Sequence, residues 1–195
     1  MAFSAWINMG SDAKGESLDK DHTDWIDITW CGHQIVQPQA STRTIGGGTV
    51  NQAEHGDFQF RKVIDKSTAK LYELVCNGKH LDKATVEFAK PIGGKPTKYM
   101  VIEMKNVVVS GITMDAGGGG PAIENTTGSR QSWSGGGAGS GKGLLTYDRV
   151  GGDYPTETVT LSYDAISWTY TQVDASGKSK GNVAANWSRA SGVSA

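Results

Sequence analysis

The chain has 195 residues, 37% hydrophobic and 20% charged, with 19 Lys and Arg against 20 Asp and Glu. That is enough apolar material for one sizeable core, so a single domain over 1–195 is expected, and a formal net charge of -1 supplies no pull toward nucleic acid or anionic lipid. No run of about 18 apolar residues offers a membrane span, residues 1–20 lack the basic and then apolar pattern of a cleavable signal, and Cys31 and Cys76 have no paired spacing, which fits two reduced thiols in a cytoplasm.

In chain order, strands are expected over residues 2–8, over 23–36 with a break near Gly32, and over 49–63 with a break near Gly56. Glycine breaks of this kind indicate bends or bulges. Residues 38–49, with Gly46, Gly47 and Gly48, read as an extended excursion between two strands. Phe58 and Phe60 then alternate with Gln59 and Arg61, which is strand periodicity.

One helix follows. Asp65 or Ser67 can accept a hydrogen bond from its first free N–H groups. Leu71, Leu74 and Val75 make an apolar stripe, and Asn77-Gly78 closes it; Lys79 and His80 suit the negative end of its dipole. Further strands are expected over 84–90, 98–114, 156–173 and 182–188. In 98–114, Met100, Ile102 and Met104 alternate with Val101, Glu103 and Lys105; in 156–173, Val159, Leu161 and Tyr163 alternate with Thr160 and Ser162. These are half-buried antiparallel strands. So many edges are satisfied in a sandwich or closed barrel: a mainly β fold, an antiparallel β-barrel of two packed sheets with one flanking α-helix. Between the strands, about 115–154 is rich in glycine, poor in apolar residues and without periodicity, and reads as an insertion.

No chemical site is completed. Gly136, Gly141 and Lys142 satisfy most of a phosphate-binding loop, but Gly143 stands where a hydroxyl should meet magnesium, with no flanking strand and helix. His22, His33, His55 and His80 read as polar surface or loop residues. Cys31 and His33 share a strand face, yet two ligands leave half a tetrahedral zinc shell empty. Asp19, Asp21, Asp24 and Asp27 lack calcium-loop spacing and read as a solvated acidic turn. Gly128-Ser129 and Gly139-Ser140-Gly141 are poor nucleophile turns within the insertion. Trp6, Trp25, Trp30, Trp168 and Trp187 fall in strand candidates, where core or interface burial is the usual fate. No cofactor, no metal and no catalytic residue is expected.

Phe58-x-Phe60-x-Lys62, then Asp65-Lys66-Ser67-Thr68, then Cys76-x-Gly78-Lys79-His80 resembles the signature of the hemolysin-coregulated protein family, the tube protein of bacterial type VI secretion. Gly15-Glu16-Ser17, followed by Asp19, His22 and Ile26-Asp27-Ile28, resembles the family's opening motif, with Trp30 where an aromatic often follows. The similarity covers about residues 1–114 and 156–189. It implies a structural subunit, six of which close into a homohexameric ring around a channel. Rings stack into a tube that a contractile sheath expels, working with the sheath and spike proteins of the machine, and small effectors ride in the channel. The protein would assemble in the cytoplasm and then be secreted without a cleavable signal peptide. The family reaches the next ring with an extended loop. That implies ring-stacking contacts from residues 37–51, chiefly Gln39, Ser41, Thr44, Gly46, Gly47 and Gly48. The 115–154 insertion departs from members of ordinary length.

Two other readings compete. A monomeric carbohydrate-binding β-sandwich is motivated by the tryptophans and glycine loops, and a phage-type tail tube protein shares the same assembly physics.

Overall fold

The period-two stretches build a barrel, and the one period-3.6 stretch builds its helix. A computed structural model describes residues 4–38, 53–92, 95–115, 154–174 and 176–193. The strands are β1 (Ser4–Asn8), β2 (Ile26–Asp27), β3 (Trp30–Gly32), β4 (Ile35–Val36), β5 (Glu54–His55), β6 (Phe58–Val63), β7 (His80–Ile92), β8 (Lys95–Asp115), β9 (Thr156–Ser162), β10 (Ala165–Val173) and β11 (Ser179–Ser188); the helix is α1 (Thr68–Asn77).

The expected continuous strand over 156–173 is two strands, with a corner at Tyr163 and Asp164. The alternation that suggested one strand does continue into the corner, because Tyr163 faces inward and is buried. The backbone turns there because other partners take its polar groups: Asp164 N donates to Lys105 O at 3.1 Å, and Arg189 N donates to Asp164 O at 2.7 Å. The 23–36 stretch likewise becomes three short strands, and the strand expected over 84–90 begins at His80 and runs to Ile92.

Asp65 starts the helix, accepting from Ser67 N at 2.8 Å and from the Ser67 hydroxyl at 2.5 Å. Ser67 itself makes no side-chain cap bond, since its hydroxyl is spent on Asp65. Gly78 closes the helix with φ 62°, a left-handed conformation that costs other residues roughly 1–2 kcal/mol, and its N–H donates to Leu74 O at 3.0 Å. Leu71 and Leu74 are buried where the helix packs on β8. Lys79 and His80 follow the Gly78 cap, outside the last turn, which itself holds no basic residue. His80 also opens β7, its Nδ1 2.8 Å from Asn106 Oδ1.

One nine-stranded sheet runs in the order β2-β1-β7-β8-β9-β6-β3. Its two ends are the same stretch of chain: β2 pairs with β1 and β3 with β6. Between them Ile28 N donates to Ala5 O at 3.0 Å, and Thr29 N to Arg61 O at 2.8 Å. Residues 26–32 therefore carry hydrogen bonding from β1 across to β6 and close the cycle. Inside lie Ile7, Ile26, Phe58, Phe60, Leu71, Val86, Met104, Val109, Val159, Leu161 and Ile166, each side chain stabilising by about 1.5–3 kcal/mol through burial. β10 leaves this cycle, pairing with β8 on one side and with β11 on the other.

Candidate assembly surface

The core face does not end where the barrel ends. Residues directly opposite in an antiparallel ladder share a face. Ala84, Met104, Ile166 and Trp187 form one such row across β7, β8, β10 and β11, followed by Val86, Ile102, Trp168 and Ala185, and then by Phe88, Met100, Tyr170 and Val183. Along these rows exposure climbs from 0% at Met104 and 2% at Ile166 to 44% at Tyr170 and 72% at Val183. One continuous apolar face thus passes from buried core to open surface. Tyr99 lies beside it, its ring centroid 6.4 Å from Phe88 and 6.5 Å from Tyr170, with the Lys90 ammonium 5.2 Å over that ring.

This face is bordered by β11, which among the described residues pairs along its length with β10, apart from a single bridge from Ser188 to Val193, and is exposed over residues 179–186. A long exposed strand edge offers a row of backbone donors and acceptors to another chain. An apolar face beside an exposed outer strand is chemically suited to a protein partner, with the strand edge giving register and the side chains giving affinity.

The expected stacking residues Gln39, Ser41, Thr44, Gly46, Gly47 and Gly48 lie outside the described residues, as does nearly all of the 115–154 insertion. What is described is the base of the first segment: β4 and β5 pair through Ile35 with His55 and Val36 with Glu54. Behind this hairpin the Tyr163 hydroxyl sits 2.6 Å from His33 Nε2 and 3.1 Å from His55 Nδ1. Trp187 stacks on His55, with centroids 6.1 Å apart and planes 13° apart. The Arg189 guanidinium lies 5.0 Å over the Tyr163 ring and donates to its carbonyl at 3.0 Å. Burial, first, and then neighbouring positive charge hold both imidazoles below the ordinary histidine value; burial pushes the Tyr163 phenol up to about 12.

Two of the four histidines therefore do not read as surface groups, and neither does His22. His22 is buried, stacked on Trp6 with centroids 4.0 Å apart. Its Nδ1 lies 2.6 Å from Asp19 and its Nε2 3.0 Å from Glu87. The acidic turn is correspondingly organised: His22 holds the Asp19 carboxyl below its usual range, while Lys66 and Lys14 do so for Asp24. Among the described residues no group of three or more His, Cys, Asp or Glu could hold a metal. No helix among them is long and apolar enough to cross a membrane.

A second buried polar cluster braces the start of α1. Lys62 and Glu157 are both fully buried, 2.6 Å apart, and Lys62 Nζ also meets Asp65 at 2.8 Å, Val63 O at 3.0 Å and Thr68 Oγ1 at 3.1 Å. The signal for this was legible: Lys62 falls on the same strand face as Phe58 and Phe60, so its ammonium had to meet a carboxylate inside. The signal for the assembly face was weaker, since Tyr170 and Val183 alternate like any half-buried strand.

The family described as "Type VI secretion system effector, Hcp" matches residues 6–170. Protein hcp1 of Pseudomonas aeruginosa is 32% identical over 129 residues, covering 65% of this chain and 78% of that protein. Two solved structures align over 100% of both chains: a type six secretion system protein, with TM-score 0.75 and 20% identity, and Hcp1 from Salmonella typhimurium, with TM-score 0.65 and 16% identity. At such identities these two speak for a shared fold.

Proposed function

We propose, since the chain belongs to the type VI secretion Hcp family, that it is a structural subunit of the secretion tube, closing with copies of itself into homohexameric rings that stack. The observation that carries this reading is the apolar face ending in Tyr170 and Val183 beside the exposed outer strand β11. A head-to-tail contact made by such a face closes into a ring when its rotation allows, and closure covers both the face and the edge.

In this reading Gln39, Ser41, Thr44, Gly46, Gly47 and Gly48 contact the next ring. The chain is one domain whose 115–154 insertion lies outside the ring contacts, and deleting residues 117–152 leaves the ring mass unchanged; a deletion variant that is only monomeric sinks that placement. The sheath and spike of the machine are its partners, and small effectors occupy the channel. It performs no catalysis, and it leaves the cytoplasm through the machine without a cleavable signal. Light scattering on the purified chain, followed by electron microscopy of the same peak, tests the reading. The expected result is a sixfold mass with ring projections. A species that stays at the 20.6 kDa of one chain overturns it and turns attention to a monomeric binding module.

A further inference from the structure

The β4–β5 hairpin meets the barrel through one phenol shared by two imidazoles, and we propose that this clasp is a pH-sensitive latch. Neutral His33 and His55 hold the hairpin on Tyr163, and protonation of both releases it. The latch belongs to a single chain and stands independently of ring assembly.

The argument is one of hydrogen counting. A phenol has one hydrogen to give and lone pairs to receive. With both rings neutral, Tyr163 donates to one imidazole nitrogen and accepts from the other ring's N–H, so contacts of 2.6 and 3.1 Å are both made. One imidazolium is tolerated, because the phenol oxygen still accepts from it and still donates to its neighbour. Two imidazoliums point two N–H groups at one oxygen and leave the phenol hydrogen without an acceptor between the rings.

The surrounding charges oppose that second proton. The two imidazole centroids are 6.2 Å apart, and the Arg189 guanidinium, following β11, lies 5.0 Å over the phenol. From the β5–β6 connection the Asp57 carboxylate is 3.9 Å from Arg189 and works in favour of protonating His33, as does a backbone hydrogen bond with Gly56. One carboxylate thus stands against three cations in the doubly protonated state. The remaining wall is uncharged: Phe58 from β6, Trp168 from β10 and Trp187 from β11.

The sign follows. Both imidazoles are lowered from the ordinary value of 6.5, burial being the first cause. The closed hairpin therefore binds fewer protons than an opened one whenever free histidine is charged. Closure is complete above about pH 6.5 and weakens as pH falls from there through the lowered values. What loosens is local, because β4 and β5 form their own two-stranded sheet. Through these two strands the chain enters and leaves residues 39–52.

Hydrogen exchange on the full chain, corrected for intrinsic rates and followed from about pH 7.5 to about pH 5.5 across the histidine range, tests this. Peptides covering residues 33–38 and 53–57 are expected to lose protection several-fold as pH falls from about 6.5 toward about 5.5, while β7 and β8 keep theirs. The double variant H33Q/H55Q, which can donate and accept without titrating, is expected to show flat protection. Wild-type protection that stays flat overturns the proposal, as does loss shared equally by β7 and β8, or a variant as pH-sensitive as the wild type. If the variant does not fold, the imidazole proton resonances of the wild type decide. Two coupled titrations below 6.5 support the latch, and independent titrations at the ordinary value refute it.

Discussion

Replacing Lys62 by Met tests whether the buried cluster at the start of α1 is held by charge. Methionine keeps most of the apolar stem, so no large cavity opens, but Glu157 and Asp65 lose an ammonium at 2.6 and 2.8 Å, and Val63 O loses its donor at 3.0 Å. Leaving a buried carboxylate without its partner costs about 3–5 kcal/mol, and the lost carbonyl contact adds about 1 kcal/mol. Urea unfolding at fixed protomer concentration reads the result; at a slope of about 2 kcal/mol per molar, the midpoint falls by roughly 2–3 M. The double change Lys62→Met with Glu157→Leu removes both charges at once and is expected to regain most of that loss, because apolar replacement of a buried pair is often neutral or better. A single variant that loses less than about 1 kcal/mol, or a double variant no better than the single, refutes the reasoning.

Val183→Asp places a carboxylate at the open end of the apolar face, where burial of valine against a second copy would contribute about 1.5–3 kcal/mol per contact. The variant should stay folded by circular dichroism yet need at least tenfold more protein to reach ring mass, and unchanged assembly would remove this face from the interface. Shortening residues 39–48 should preserve rings but reduce their stacking into tubes under the electron microscope; tubes of undiminished length would discard the stacking assignment. Gly15→Ala would put a Cβ 2.2 Å from Trp25 O and 2.5 Å from Ile26 Cα, in a backbone also pinned by Gly15 N to Asp24 O at 2.8 Å. A cost of about 2–3 kcal/mol lowers the melting temperature by roughly 5 °C or more, and an unaltered melting curve would show that the 15–26 segment yields freely.

Local patterns carried the parts of this fold that depend on near neighbours. The helix was legible because Asp65, Leu71, Leu74 and Gly78 stand within one stretch of chain and agree with each other. A barrel was expected, but the place where it closes was not legible, because β2 and β3 are two and three residues long and acquire meaning only by bonding to β1 and β6. His22 looked like one polar residue in an acidic turn, since its second carboxylate is 65 positions away. His33 and His55 meet a tyrosine 130 and 108 positions on, a separation over which no periodicity speaks. The corner at Tyr163 was hidden by its own inward side chain, which preserves the alternation while the backbone changes direction. Family likeness, carried by 58–80 and 15–30, supplied the family and none of these contacts.

β8 has a mechanical meaning beyond its place in the ladder. It runs for 21 residues, roughly 65 Å of contour at about 3.3 Å per residue, and it is hydrogen-bonded to β7, β9 and β10. Traction applied to the β10–β11 hairpin along the strand direction therefore loads the Met100–Lys105 rungs in shear, many at once, where a sideways peel would break them singly. The strand hands that load to β7 and β9 at different heights along its length. A subunit built this way resists being pulled apart along one axis far more than across it, and single-molecule pulling from Val173 against Ala5 in two attachment geometries would read the anisotropy directly. Equal rupture forces in both geometries would show that β8 is not the element that bears the load.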